Sequence, residues 1–206
     1  MQKTLYYVHD PMCSWCWGFE PTRRRLFSAL EGQLRIERLL GGLAPDSDVP
    51  MPASMQTMLQ QTWQRIQGMI PGTEFNFEFW QKNEPRRSTY PSNRAVIAAR
   101  LQGPEYDPLM TARIQRAYYL EARNPSNNDT LVELAADIGL DSERFAADLV
   151  AVSTEASLID EIGRARALGI NSFPSMAVVT QQDLYPVGLN YLDAQEMLDQ
   201  IEAIQP

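Results

Sequence analysis

The stretch "DPMCSWCWGF", residues 10–19, holds both cysteines of the chain, Cys13 and Cys16, with two residues between them. Such a pair is typical of a redox-active dithiol, but it also occurs as half of a metal site. Free cysteine is among the most frequently buried residue types, so two small core residues are a third interpretation. The elements on either side of the pair decide among these three.

The pair lies between a predicted strand and a predicted helix. "TLYYVHD", residues 4–10, is rich in aromatic and branched side chains and ends at an Asp-Pro pair, which is typical of a short strand. Residues 17–33 have apolar side chains at helical spacing, and we expect Pro21 to bend that helix. Residues 34–43 predict a second strand that stops at two glycines. The cysteines are therefore expected at the first strand-to-helix corner.

The rest of the chain has a helical middle and a mixed end. Between residues 44 and 156, helices are predicted at 51–70, 92–102 with Ser92 as N-cap, 108–122, 129–138 and 142–152. The end predicts a helix at 155–170, a strand at 175–180, a hairpin partner at 183–189 across a "QQD" turn, and a helix at 193–204 capped by Asp193. The outer segments thus follow the order βαβ, insertion, αββα.

Composition narrows the function classes. The 206 residues include 18 basic and 26 acidic side chains, and the net charge of −8 is spread along the chain, which argues against nucleic acid or an anionic membrane as partner. We see no secretory signal at the N-terminus and no apolar run near the roughly 20 residues that a spanning helix needs, so we expect a cytoplasmic protein. In a reducing cytosol a close cysteine pair is more often catalytic or metal-binding than structural.

The corner with Cys13 and Cys16, Pro21 in the next helix and "SFPSMAVV" at the later strand together resemble the DsbA-like branch of the thioredoxin superfamily. The chain is similar to its FrnE-like group of cytoplasmic protein-disulfide isomerases. The resemblance implies an α/β fold, a thioredoxin fold with an inserted all-helical domain. We assign residues 1–43 and 157–206 to the thioredoxin-like domain and residues 44–156 to the insertion.

The resemblance also implies that Pro174 is a cis proline facing the active site, and that the backbone of Phe173 binds an extended substrate. A bulky Phe173 departs from the Val or Thr common at that place. Kappa-class glutathione transferases and hydroxychromene-carboxylate isomerases share the topology, but they resemble the chain with a Ser in place of Cys13 and a Gly-x-Asp-Arg segment where residues 188–191 are "GLNY". Two cysteines without that segment favour a dithiol oxidoreductase, and the glutathione-dependent enzyme is the alternative.

The expected chemistry is thiol-disulfide exchange, in which a thiolate attacks a disulfide and a second thiol resolves the mixed disulfide. Three positions apart on a helix, the two sulfurs fall on one face, close enough to bridge. Cys13 at the helix N-terminus, where free N–H groups stabilise a negative sulfur, is predicted as the nucleophile, and the more shielded Cys16 as the resolving residue. Ser14 and Trp15 are expected to tune the site. Because neither is a His, we expect a weaker oxidant than DsbA, whose potential is about −120 mV.

His9 and Asp10, the polar residues just before the cysteine pair, are best explained by structural roles. A closed zinc site needs four ligands, and His9 is the only histidine, so a metal site would need carboxylates or a second chain. His9 is better explained as a hydrogen-bonded structural residue than as a modulator of the thiol. Asp10 is a turn former before proline, with proton relay from Cys16 as the alternative.

Two features of the helical region allow two interpretations each. Trp63 and the methionines at positions 51, 55, 58 and 69 form either an adaptable surface for peptides or, as we favour, ordinary helix packing. Pro91 and Asn93 belong to a segment that related proteins bring near the active site, although residues 92–100 also fit a simple capped helix.

The sequence therefore predicts a thiol-disulfide oxidoreductase or isomerase with a redox-active CxxC centre that requires no metal or organic cofactor. The expected partners are protein or peptide thiols and disulfides, with glutathione as a small-thiol substrate. The non-enzymatic alternative is a peptide-binding or chaperone module.

Overall fold

A four-stranded sheet lies at the centre of the computed structural model, which describes residues 3–181 and 183–204. Its order is β2-β1-β3-β4, formed by β1 (Thr4–His9), β2 (Arg35–Leu40), β3 (Ser175–Val179) and β4 (Leu184–Val187). Strand β1 pairs in parallel with β2 and antiparallel with β3, and β3 pairs antiparallel with β4. The predicted hairpin is thus confirmed, although Gln182 of its predicted turn lies outside the described residues.

Helices α1 (Ser14–Leu30), which follows β1, and α9 (Ala194–Ala203) pack on one face of the sheet. Pro21 lies inside α1 as predicted. The predicted cap of α9 is confirmed, because the Asp193 carboxylate accepts a hydrogen bond from the Gln195 N–H at 2.8 Å. Sheet and helices together form the predicted thioredoxin fold.

Seven helices connect β2 to β3. They are α2 (Ala53–Met69), α3 (Phe79–Lys82), α4 (Tyr90–Arg100), α5 (Tyr106–Tyr119), α6 (Asn128–Asp137), α7 (Ser142–Leu149) and α8 (Val152–Ala167). The assignment of residues 44–156 to one inserted domain stays a prediction, and its second boundary lies within α8, which packs against both α4 and β2.

The prediction that Ser92 caps α4 is wrong. The helix begins at Tyr90, because Pro91 fits the first turn, and the Ser92 hydroxyl donates to the Thr89 carbonyl at 2.8 Å. The sequence also missed α3, which at four residues is too short to show a helical period.

The core has separate sheet and helical parts. The sheet packs on α1 and α9 through Leu5, Phe19, Leu26, Met176, Val178, Met197 and their neighbours. The inserted helices enclose a second core, which includes Val96, Met110, Ile114, Leu134, Phe145 and Ile162. A third cluster, rich in aromatic rings and centred on Trp63, lies where α2 and α5 meet α1. This aromatic cluster joins the insertion to the cysteine corner.

The approach of α2 to α1 depends on a glycine. A Cβ at Gly18 would lie 2.8 Å from Ile70 Cδ1 and 2.9 Å from Ile66 Cγ2. Because Gly18 lies two residues after Cys16, the insertion packs directly behind the dithiol.

Candidate functional site

The two cysteines lie where the sequence predicts them, at the corner between β1 and α1. Cys13 is the N-cap residue of α1, and its N–H donates to the Asp10 carbonyl at 3.0 Å. Cys16 lies in the first turn, and both thiols are free. Cys13 is 6% exposed and Cys16 only 1%, so Cys13 is the more accessible of the two thiols. Burial, the hydrogen bond with Cys13 and the charge of Cys13 raise the pKa of Cys16 well above its usual value, which keeps this second thiol protonated.

The segment before β3 lies against the Cys13 sulfur. The Cys13 Sγ–H donates to the Phe173 carbonyl at 3.3 Å, and the Phe173–Pro174 bond is cis, as the resemblance implies. The Phe173 ring packs against Gly41, where a Cβ would lie 2.1 Å from the ring. The Phe173 backbone thus faces the dithiol while its side chain is anchored beside β2.

The two residues between the cysteines contact different parts of the molecule. The buried Ser14 hydroxyl accepts a hydrogen bond from Trp63 Nε1 at 2.9 Å, which connects the CxxC turn to α2. Trp15 is half-buried and packs edge-on against Tyr191 with ring centroids 5.4 Å apart. The Arg65 guanidinium lies 5.9 Å from the Trp15 ring centroid. Ser14 therefore points into the molecule, whereas Trp15 lies at its surface.

Asp10 is fully buried and connects the corner to the inserted helices. Its carboxylate accepts four hydrogen bonds, from the Met12 N–H, the Leu43 N–H, the Thr89 hydroxyl and the Asn93 side chain, each between 2.7 and 2.8 Å. Burial raises the pKa of Asp10, although these hydrogen bonds act in the opposite direction. The turn-former role predicted for Asp10 is confirmed by the bond to Met12, but the sequence missed Leu43 and Thr89 as partners.

The bond from Asn93 decides one of the open interpretations. Asn93 Nδ2 lies 2.8 Å from Asp10 Oδ2, so the segment of Pro91 and Asn93 does lie beside the cysteine corner.

The methionines near α2 and Trp63, for which the sequence left packing and peptide binding open, differ in exposure. Met51 and Trp63 are buried packing residues, whereas Met58 and Met69 are 51% and 50% exposed.

Three tyrosines that the sequence did not single out surround the dithiol. They are Tyr7 on β1, Tyr119 at the end of α5, and Tyr191 before α9. Burial raises the pKa of each, and the negative charges of Cys13 and Cys16 raise it further. These three positions are far apart in the sequence, so only the fold brings each of the tyrosines near the cysteines.

His9 is a buried neutral residue. Its ring stacks on Tyr7 with centroids 4.9 Å apart, and burial lowers its pKa to about 3. Its Nε2 has no hydrogen bond among the residues the structure describes. Within residues 3–181 and 183–204 no group of three or more His, Cys, Asp or Glu could hold a metal ion, so a metal interpretation gains no support from the geometry.

A thioredoxin fold with helices inserted between β2 and β3, and a CxxC pair at the corner of β1 and α1, defines a DsbA-like thiol-disulfide oxidoreductase fold. The sequence model of the family described as Thioredoxin matches residues 6–198, and the chain belongs to this family. No helix in the described part of the chain has the length and apolar character needed to cross a membrane.

Solved structures of similar proteins cover nearly the whole chain. A candidate protein disulfide isomerase from Nitrosomonas europaea is 26% identical with a TM-score of 0.85, covering 98% of this chain and 97% of that one. The cytosolic disulfide reductase DsbM from Pseudomonas aeruginosa is 26% identical with a TM-score of 0.77, covering 97% of each chain. DsbM has also been solved with glutathione (GSH).

The chain is also similar in sequence to a protein that is described as an adapter and not as a disulfide isomerase or reductase. The ClpXP adapter protein SpxH of Halalkalibacterium halodurans is 24% identical over 175 residues, which cover 83% of this chain. The match spans little more than half of that relative's length, 56%.

Proposed function

We propose that the protein is a thiol-disulfide oxidoreductase in which Cys13 attacks and Cys16 resolves. The observation that supports this most is the position of the Cys13 sulfur, at the N-terminus of α1 and 3.3 Å from the Phe173 carbonyl, with Cys16 buried behind it. An extended substrate approaching the Phe173 backbone would place its sulfur beside Cys13. Exchange of this kind needs no metal and no organic cofactor.

The reaction balances within the dithiol and one substrate disulfide. The Cys13 thiolate attacks one substrate sulfur, the substrate S–S bond breaks, and one substrate thiolate leaves with a proton from solvent. Cys16 then loses its proton and attacks the Cys13 sulfur, which releases the second substrate thiol and leaves a Cys13–Cys16 disulfide. Two electrons pass to the substrate, and the opposite direction oxidises a substrate dithiol.

Substrates of this reaction would be protein or peptide disulfides and glutathione. Two observations support glutathione as a small-thiol partner. The chain is structurally similar to DsbM, and a structure of DsbM has been solved with GSH. The description of DsbM as cytosolic likewise supports a cytoplasmic location, where such a dithiol would act as a reductase. The absence of a His between the cysteines supports a potential below that of DsbA.

Trapping of mixed disulfides tests the proposal. In Cys16→Ala the resolving thiol is gone, so substrates should stay bound to Cys13 and appear as adducts that a reductant releases. The matched control is Cys13→Ser in the same background, which should form none. If Cys16→Ala accumulates no adduct with either glutathione disulfide or cell extract, the redox proposal is wrong.

A second candidate is an adapter that binds another protein without chemistry. The similarity to SpxH supports it, and so do the exposed Met58 and Met69 on α2. This function would survive replacement of both cysteines. Binding of a captured partner that is equal in the wild type and in Cys13→Ser/Cys16→Ser would favour the adapter, whereas loss of binding would favour the oxidoreductase.

A further inference from the structure

The hydroxyl of Tyr119 is buried without a hydrogen bond of normal geometry in the described part of the chain. The side chain is fully buried at the end of α5, so solvent does not reach the hydroxyl. An unpaired buried donor is costly, and such a group in a native structure calls for a specific partner. The surroundings of Tyr119 indicate which partner that is.

Tyr119 lies against the face of α1 that carries Cys13. Its ring stacks on Trp17 with centroids 5.6 Å apart and planes within 15°. Trp17 follows Cys13 by one helical turn, and its N–H donates to the Cys13 carbonyl at 3.1 Å. On the other side the Tyr119 ring contacts the Trp63 ring at 5.6 Å. The phenol is thus held between the CxxC turn and the inserted helices.

Ser14 lies between Trp63 and Tyr119. Trp63 Nε1–H donates to Ser14 Oγ at 2.9 Å, and the Ser14 proton has no acceptor of normal geometry among the residues described. The Ser14 hydroxyl is nevertheless near enough to Tyr119 to lower the pKa of the phenol. The hydrogen bonds are therefore expected to run in one direction, with Trp63 donating to Ser14 and Ser14 donating to Tyr119. The Tyr119 hydroxyl then still has its own proton to donate.

We propose that Trp63, Ser14 and Tyr119 form a hydrogen-bond chain whose last donor, the Tyr119 hydroxyl, binds the Cys13 sulfur when it is a thiolate. This inference deepens the proposed oxidoreductase function and rests on it. The tyrosine adds a hydrogen bond to the thiolate from outside the CxxC turn. It also connects the state of the dithiol to the packing of the insertion.

The electrostatic surroundings agree with a donor role. Burial, and the charges of Tyr118, Cys13 and Cys16, raise the pKa of Tyr119, so it keeps its proton when Cys13 is charged. Tyr7, Tyr191 and Asp10 are further titratable groups that interact electrostatically with the cysteines in the described part of the chain. Asp10 already accepts four hydrogen bonds and has no proton to donate as a carboxylate.

The test compares Tyr119→Phe with Tyr118→Phe. A donor to the thiolate stabilises the reduced form over the neutral disulfide, so its removal should make the protein less oxidising. In glutathione redox buffers we expect about a tenfold change in the equilibrium constant for Tyr119→Phe, which is about 30 mV towards more negative potential. The pH midpoint for alkylation of Cys13 by iodoacetamide should rise by about one unit.

Tyr118→Phe is the matched control, because it removes a neighbouring buried phenol whose pKa is raised by burial and is further affected by the charges of Arg87 and Asp10. It should leave both readouts unchanged. Ser14→Ala should shift them in the same direction as Tyr119→Phe by a smaller factor, and it provides the test if Tyr119→Phe does not fold. An unchanged midpoint in the folded Tyr119 variant, or equal shifts in both tyrosine variants, would overturn the inference.

The two readouts separate this inference from the proposed function. Alkylation requires no disulfide substrate, so its pH midpoint reports the Tyr119 hydrogen bond even if the protein fails to exchange with glutathione. Failure of the wild type to form a Cys13–Cys16 disulfide in any redox buffer would instead contradict the oxidoreductase proposal.

Discussion

The sheet region and the inserted helices contribute different kinds of residue to the same site. The sheet region supplies the two sulfurs and the Phe173 carbonyl, which are the groups that would meet a substrate. The insertion supplies Trp63, Asn93 and Tyr119, which lie behind the dithiol and surround it with polar groups. The difference indicates that local sequence sets the chemistry, while long-range packing sets the environment of the sulfurs. Replacing residues at the contact between the two regions tests this division.

The largest effect is expected at Asp10, where the two regions are joined. Asp10→Ala leaves buried donors from Thr89 and Asn93 without their acceptor, so we expect the free energy of unfolding to fall by about 4 kcal/mol. Urea denaturation followed by circular dichroism measures it. The control is Asp46→Ala, which removes a 53% exposed carboxylate paired with Arg94 and should cost about 1 kcal/mol or less. Equal losses in both variants would contradict the role of Asp10 as the connection.

The next largest effects are expected from replacing one glycine by alanine in each region. The two substitutions should change the free energy of unfolding in opposite directions. A Cβ at Gly41 would lie 2.1 Å from the Phe173 ring, so Gly41→Ala must displace the residue that faces Cys13. We expect a loss of about 2 kcal/mol and slower reaction of Cys13 with a small aromatic disulfide. Gly68 on α2 has open space around it, so Gly68→Ala should stabilise the protein by up to about 1 kcal/mol without changing that rate. Unchanged reactivity in Gly41→Ala would contradict the importance of the Phe173 position.

His9 on β1 belongs to the sheet region, and its burial can be tested by measuring how the free energy of unfolding depends on pH. Burial lowers its pKa to about 3, whereas the unfolded chain binds a proton near pH 6.5, so this contribution is fully present above pH 6.5 and is lost as the pH falls. Between pH 8 and pH 5 the loss should be about 2 kcal/mol. His9→Phe keeps a ring to stack on Tyr7 and should remove that slope.

The His9 measurement has a built-in check. Burial raises the pKa of Asp10, so the contribution of Asp10 to the free energy of unfolding falls as the pH rises. This contribution has the opposite sign to that of His9 and remains in His9→Phe. Since His9 is the only histidine of the chain, the difference between the two pH profiles isolates its contribution. Parallel profiles from pH 8 to pH 5 would show that His9 is not buried as a neutral ring.

The sequence predicted the sheet region well because its signals are local. The CxxC spacing, the strand before it and the Pro174 segment each lie within a few residues, and they predicted the fold and the place of Cys13 at the corner between β1 and α1. The helices of the insertion were mostly predicted from their periodicity, although Ser92 was assigned the wrong position because proline at the second residue lets the helix start earlier.

The environment of the dithiol could not be predicted in the same way. Asp10 and Thr89 are far apart in the chain, and so are Ser14 and Trp63, yet each pair shares a hydrogen bond. No spacing rule connects such residues, since the packing of α2 and α4 on the sheet region brings them together. Asn93 is the exception, because the resemblance pointed to its segment even though the pattern alone fitted a plain helix.

The smallest expected effect concerns the exposed side of α2. Met58 and Met69 lie three helical turns apart on the face that also carries Arg65, which covers Trp15 beside the cysteines. Met58→Gln should change the free energy of unfolding by no more than about 0.5 kcal/mol, because the residue is exposed. Met51→Gln is the matched control and should cost about 2 kcal/mol, because that methionine is buried.

The same variant distinguishes packing from substrate contact on α2. If this face contacts protein substrates, Met58→Gln should slow the reduction of a protein disulfide about twofold, and leave the reduction of glutathione disulfide unchanged, because the smaller molecule need not extend beyond Trp15. Stopped-flow rates with both substrates measure the ratio. A ratio equal to that of the wild type would mean that the insertion acts on the dithiol only from behind, through Trp63, Asn93 and Tyr119, and that substrates meet the sheet region alone.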